Sequence, residues 1–498
     1  MTTRPEILTV ADLIAGLTVS TKQRPAGVLP HIEICSAVID SRLATPGSLF
    51  IAMQGEHHDG HGFVQEAIAK GAMAIIAERL PPDTSCTIVD TTASDGILAL
   101  QGEELVPPVC LIVSNSLLAL QQAAAYWRRL HDVRVVGITG SVGKTTSKEV
   151  IAAVLRRRYR TLKSEGNYNN EIGLPLTLLH LTDRHEQVVL EMGMYDLGEI
   201  AELAEIALPQ VGVVTNVGPS HLERLGTIER IAQAKAELPQ ALPAAEEGGI
   251  AILNADDERV RAMAGQTQAR VFTYGLNSGA DLWANDIESA GLEGIHFRFH
   301  YGKEIIHAQV PMLGRHSVHT ALRAAAVGLV QGLEWAEIMS GLRDQTAQVR
   351  LMAVPGPAGS TILDDTYNSS PASCIAALNM LAELGKERKG ERKIAVLGDM
   401  YELGRHEKEG HKIVGRRARD VVDVLITVGS LGRIIGQEAL LSGMPDDAVH
   451  MVETNSQAID LVRTLLEPPA SGDKVLVKGS RGLQMEEIVT ALQEGDLP

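Results

Sequence analysis

The stretch GITGSVGKTT at residues 137–146 lies between a β-branched run, VRVV at 133–136, and SKEVIAAVLRRRY at 147–159, whose apolar residues recur at helical spacing. A strand that turns straight into a helix aims the first backbone N–H groups of the helix at the turn, where they can gather an anion. Such a turn must keep its backbone bare, and Gly140 and Gly143 do so on either side of Ser141 and Val142. Lys144 adds a point charge for the β- and γ-phosphates. The hydroxyls of Thr145 and Thr146 follow, the first placed to hold Mg²⁺. The usual phosphate loop has a glycine six residues before the lysine; here that position is Ile138, and the glycines run in threes. The loop predicts use of a nucleoside triphosphate.

Working outward, 498 residues suggest about three domains. Aromatic residues are only 3%, so aliphatic side chains must fill the core, as suits an α/β protein. A formal charge of −17 argues against nucleic acid as a partner. Four scattered cysteines suggest neither a disulfide framework nor a zinc site. No targeting segment or membrane-length apolar run is evident, which predicts a cytoplasmic protein.

Before the loop, strands at 48–53 and 73–77 alternate with a helix at 62–70, and a helix at 116–130 leads into the loop; the first boundary is set at 114. After it, strands at 187–191, 211–216 and 249–254 continue the alternation, 281–310 reads as antiparallel strands, and 316–329 reads as a helix. From 347 the pattern restarts, with strands at 361–365, 393–397, 424–428 and 474–477 and helices at 373–384, 409–418 and 457–466. The expected fold is α/β in three domains, 1–114, 115–346 and 347–498, the second a phosphate-loop ATPase on a mostly parallel sheet and the third Rossmann-like. Parallel sheets bind ligands at the carboxyl ends of their strands.

Several polar clusters fall at such ends. Glu191 closes an apolar strand, where a carboxylate is costly without a cation; it reads as a Mg²⁺ ligand or as a capping or ion-paired residue. His221 follows a Gly-Pro turn and reads equally as structural or functional. Asn254, in NADD, could read a base edge, and Lys235, in IAQAKAEL, would ordinarily face solvent. Asp364, Asp365, Tyr367 and Asn368, in DDTYNSSP, are poor core material. Asp399, Glu402, and Lys478, Ser480 and Arg481 in KGSR also end strands. HHDGH at 57–61 reads as a polar binding loop rather than a metal site.

The order GxxGKTT, GNYNNEIGLPLTLL, LEMG, TNVGPSHLE, AKAEL, NADD, DDTYNSSP, VLGDMYELG and VLVKGSRG, with DSRLATPGSLFIAMQGEHHDGHGFVQEAIAKGA at 40–72, resembles the Mur ligases of bacterial cell-wall synthesis. The motifs are most similar to those of the member that joins D-alanyl-D-alanine to a UDP-muramoyl-tripeptide. The resemblance implies ATP and Mg²⁺ as cofactors, those two molecules as substrates, an acyl-phosphate intermediate and a monomer. It implies that Lys144 and Thr145 meet ATP and metal, that Glu191 and His221 complete the metal positions, and that Lys235 is carbamylated. Asn254, Arg350 and Asp365 would lie near the nucleotide. Ser41, Arg42, Asp59, Gly60 and His61 would meet the uridine diphosphate sugar, and Tyr367, Asn368, Lys478, Ser480 and Arg481 the incoming amine.

Three motifs depart from the family pattern, at four positions. Ser317 and Thr320 replace two asparagines, Val349 replaces the glycine before Arg350, and Ser370 replaces the asparagine before Pro371. The member that adds the third amino acid carries a DNPR signature, absent here. A phosphate-loop protein that uses ATP for switching is the alternative from another class.

Overall fold

A computed structural model describes residues 7–18, 31–55, 58–92, 105–219, 222–344, 346, 351–384, 390–467 and 472–494. Three larger sheets follow one another along the chain. The first has five parallel strands in the spatial order Ser36–Val38, Ser48–Ile51, Ala74–Ala77, Val109–Ile112, Thr87–Asp90. In the three inner strands every residue but Ser48 is apolar, as a sheet covered on both faces requires.

Helix Ser116–Leu130 joins this sheet to the next. Asn115 caps it by accepting from Leu118 N at 2.7 Å, and Glu78 Oε1, just past the third strand of the first sheet, accepts from Ser116 N at 3.0 Å. Leu120, Ala124 and Trp127 are buried in a core continuous with Leu49 and Leu111 on one side and Leu174 and Leu190 on the other.

The second sheet has nine strands. Six parallel strands run from Thr161–Lys163 through Gln187–Glu191, Arg134–Thr139, Val211–Val214 and Ile250–Asn254 to Arg270–Gly275. Leu282–Ser289 joins in parallel, and Ile295–Tyr301 and Glu304–Val310 extend the edge antiparallel, as the alternation at 281–310 predicted. Arg134–Thr139 is flanked on both sides by parallel strands, third of the six, so the phosphate loop leaves the interior of the parallel run.

The third sheet places Thr361–Asp364, Lys474–Lys478, Lys393–Gly398, Val424–Val428 and Val449–Val452 side by side in parallel. Met352–Pro355 closes one edge antiparallel. Element ends differ from the sequence reading where special turns start them. The helix expected at 147–159 begins at Lys144 because the loop's own residues form its first turn. That expected at 373–384 begins at Pro371, because Ser370 caps it and a proline suits the first helical position. Among the described residues no helix is long and apolar enough to cross a membrane.

Candidate functional site

The phosphate loop is fixed from behind by the strand beside it. Gly140 has φ +144°, and a methyl group there would stand 1.8 Å from Thr215 Oγ1, so only glycine fits. Asn216 clamps both backbone polar groups of Val142: Val142 N donates to Asn216 Oδ1 at 3.0 Å, and Asn216 Nδ2 donates to Val142 O at 3.0 Å. Thr215 Oγ1 donates to the same carbonyl at 2.8 Å, and Ser141 Oγ donates to Gly218 O at 3.0 Å. Gly143, at φ +85°, precedes the first helical residue, Lys144. Lys144 Nζ donates to Gly140 O at 2.9 Å, curled over its own loop.

Asn254 ends the next strand and is buried; its Nδ2 donates to Thr215 O at 2.9 Å. This chain of amides runs from strand to strand along the carboxyl edge of the sheet. Asp257 extends it by accepting from Val217 N at 2.8 Å.

Glu191 is 3% exposed. Its Oε1 accepts from Asn169 Nδ2 at 2.9 Å, while Oε2 is buried without a hydrogen-bond partner. Among the described residues neither a helix cap nor an ion pair accounts for it, and an orphaned buried carboxylate oxygen is what a divalent cation would complete. Asn169 and Lys144 line one small cavity of about 190 Å³. Lys235 is not the solvated lysine its helix suggested: it lies on Ile228–Gln240 and is 2% exposed. Burial, and then the like charge of Lys144, hold its amine well below the usual lysine range. Thr145 is buried in the first helical turn. His221 and Arg350 lie outside the described residues.

The third sheet faces this loop across a cavity of about 480 Å³, lined on one wall by Ser141, Gly143, Thr146 and Asn254 and on the other by Asp365 and Lys478. Lys478 Nζ, 1% exposed, pairs with Asp365 at 2.7 Å and donates to Asn368 O at 2.8 Å. Burial pushes the nearby His316 imidazole down, with Asp365 opposing. Arg405 Nη2 donates to Gly226 O at 2.8 Å and ties the third sheet's loops to the second's. Behind the cavity, Tyr367, Arg481, Asp364 and Asp365 line a second hollow of about 240 Å³. The Arg481 guanidinium lies 5.4 Å from the centre of the Tyr367 ring. Ser480 stands apart from that hollow: its Oγ accepts from Tyr401 N at 3.0 Å, bracing the loop after Asp399.

At the carboxyl ends of the first sheet a cavity of about 930 Å³ is lined by Ser41, Arg42, Gly60, Phe63 and Glu66. Asp59 and His61 hold the loop beneath it. Asp59 Oδ1 meets His61 Nδ1 at 2.6 Å and accepts from His61 N at 3.0 Å, Asp59 pairs with Arg79, and Glu78 N donates to His61 Nε2 at 3.1 Å. Both ring nitrogens of His61 are thus engaged within the protein. His57 lies outside the described residues, and among those described no three His, Cys, Asp or Glu side chains gather as a metal site.

Family models describe the same three regions: "Mur ligase family, catalytic domain" matches residues 33–106, "Mur ligase middle domain" 138–328, and "Mur ligase, glutamate ligase domain" 349–481. The UDP-N-acetylmuramoyl-tripeptide–D-alanyl-D-alanine ligase of Bacillus subtilis is 36% identical over 496 residues, covering 98% of each chain. The chain belongs to the Mur ligase family. Its fold is similar to MurF of Acinetobacter baumannii, with TM-score 0.81 and 29% identity over 99% of this chain and 100% of that one. MurF of Thermotoga maritima, solved with ADP, gives TM-score 0.72 and 27% identity over 92% and 97%.

Reading the Mur ligase sequence alone passed over Thr215, Asn169 and Arg323. The first two sit inside TNVGPSHLE and GNYNNEIGLPLTLL, far along the chain from the Val142 and Glu191 they support, and carry no signal of their own. Arg323 interrupts an alanine-rich helix, VHTALRAAAVGLV, and a lone arginine there was a legible anomaly. Three of the departures are accommodated locally: Ser317 Oγ donates to Leu313 O at 2.6 Å, Thr320 Oγ1 accepts from Arg323 Nη2 at 2.9 Å, and Ser370 caps its helix; Val349 lies outside the described residues.

Proposed function

We propose that this chain is the ATP-dependent ligase that adds D-alanyl-D-alanine to UDP-N-acetylmuramoyl-tripeptide, a late cytoplasmic step of peptidoglycan precursor synthesis, and that it works as a monomer. One observation carries the reading: the phosphate loop and the Asp365–Lys478 pair share a single cavity, in a chain matched end to end by relatives of that name. Residues 1–114 bind the uridine diphosphate sugar, 115–346 bind ATP, and 347–498 bind the incoming amine.

The tripeptide's terminal carboxylate attacks the γ-phosphorus of ATP; ADP leaves and an acyl phosphate forms. The amine of D-alanyl-D-alanine then attacks the acyl carbon, the bond from that carbon to the phosphate oxygen breaks, phosphate leaves with the electron pair, and the amine proton passes to solvent. Lys144 swings from Gly140 O to the transferring phosphoryl group, where fixed charge supplies much of the rate. Asn254 and Asp365 border the nucleotide, and Arg350, outside the described residues, would bind it. Ser41, Arg42 and Gly60 meet the uridine diphosphate sugar over the Asp59–His61 brace. Tyr367, Asn368 and Arg481 shape the amine site, Lys478 steadies it through Asp365, and Ser480 steadies the Asp399 loop beside it.

Thr145, Glu191, His221 and a carbamate on Lys235 would hold Mg²⁺, which neutralises phosphoryl oxygens when bound. The orphaned Oε2 of Glu191 supports this. A buried lysine beside another cation favours its neutral amine, the form that adds to carbon dioxide with loss of one proton.

An ADP-release assay across a panel of amines tests the reading. Turnover is expected only with ATP, UDP-tripeptide and D-alanyl-D-alanine together. Preferred turnover with a free diamino acid assigns the chain to the preceding step, and turnover without any amine assigns it to switching.

A further inference from the structure

Arg323 is 4% exposed on helix Val318–Val330. Its side chain is turned to the phosphate loop: a methyl group on Gly143 would stand 3.2 Å from Arg323 Nη2. A buried guanidinium loses its hydration and needs a carboxylate or a full set of acceptors in return. It has neither. Nη2 donates to Thr320 Oγ1 at 2.9 Å, and Nη1 reaches the Tyr274 hydroxyl at 3.4 Å. The Tyr274 ring centre lies 5.9 Å from the guanidinium carbon. Nε is buried with no acceptor, and among the described residues no carboxylate pairs with this arginine.

Arg323 also lines the cavity of about 480 Å³, beside Ser141, Gly143 and Thr146. An unpaired planar fork and the bare amides of a helix start therefore face the same space. Both are donors, and both suit phosphate oxygens. We infer that Arg323 is a phosphate-binding residue, its guanidinium contacting the diphosphate of the bound nucleotide at Gly143 as a second fixed positive charge beside Lys144. Thr320, with a short hydroxyl where the family pattern has an amide, is the acceptor that aims it. The inference rests on the nucleotide reading of this cavity.

ADP binding to the full-length protein, measured at two salt concentrations, tests it. Arg323→Met, which keeps much of the packing volume, is expected to weaken ADP about 10- to 100-fold, as loss of a charged hydrogen bond would. Its affinity should also depend less on salt than the wild type's, because one phosphate-facing cation has gone. Arg323→Lys is expected to restore the salt dependence with intermediate affinity. Unchanged affinity in Arg323→Met overturns the inference. So does a loss with undiminished salt dependence, which marks a packing role through Tyr274 and Thr320. If the methionine variant does not fold, Arg323→Gln carries the same comparison. A wild-type protein that binds no ADP overturns the nucleotide reading itself, an outcome distinct from either failure of Arg323.

Discussion

The nucleotide cavity and the cavity of the first sheet both open at the carboxyl ends of parallel strands, yet they are built differently. The first, about 480 Å³, is set by backbone: Gly140 against Thr215, Asn216 clamping Val142, and charges that are buried before any ligand arrives. The second, about 930 Å³, is lined by side chains that reach into solvent, including Arg42 at 81% side-chain exposure. Its charges pair with near neighbours, Asp40 with Arg42 and Glu66 with Lys70, contacts that cost little to exchange for a ligand. A phosphate chain presents closely spaced anionic oxygens, and a fixed cradle of backbone donors suits it. A sugar nucleotide with a peptide arm has many shapes, and a wide, adaptable wall suits that.

The difference is open to direct attack. Lys144→Ala removes a charge from the rigid site and is expected to lower amine-dependent ADP release at least about a hundredfold while the circular dichroism spectrum stays native. Near-wild-type turnover in the folded variant would show that the loop does not serve the phosphoryl group. Lys235→Ala is expected to cost nearly as much, and millimolar formate or acetate should restore part of the rate by supplying the missing anion. Absence of rescue, with no added mass of carbon dioxide on the native lysine, would refute the carbamate. A smaller effect is expected from His61→Ala, which loosens the brace under the wide cavity. It should raise KM for the UDP-tripeptide about tenfold and leave kcat and ADP affinity near the wild type's. A fall in kcat alone would mean that the two cavities are not separable in this way.

Legibility in the sequence divides along the same line. The phosphate loop, the strand ends bearing Glu191 and Asn254, and the antiparallel edge at 282–310 could be read, because glycine spacing and apolar periodicity report backbone directly. Side-chain destinations could not. Lys235 has the helical context of a surface lysine, and only packing of Ile228–Gln240 against the sheet turns it inward. His61 has a binding-loop context, yet Asp59 and Glu78 occupy both of its nitrogens. Ser480 shares a motif with Arg481 and points elsewhere. Partners distant in the chain decide these cases, and periodicity carries no information about them.

The wall that the third sheet offers to the nucleotide also has apolar members, Leu351, Pro371 and Ala377, facing Met312 and Leu313 from the second. Leu313 itself packs into the third sheet's core, so the seam is a continuous apolar surface on which a small molecule can settle. Such a compound would need to mimic neither a triphosphate nor a peptide: seated on these apolar members it would occupy the cavity proposed for the nucleotide, and substitutions that weaken it would cluster at Leu351, Ala377, Met312 and Leu313.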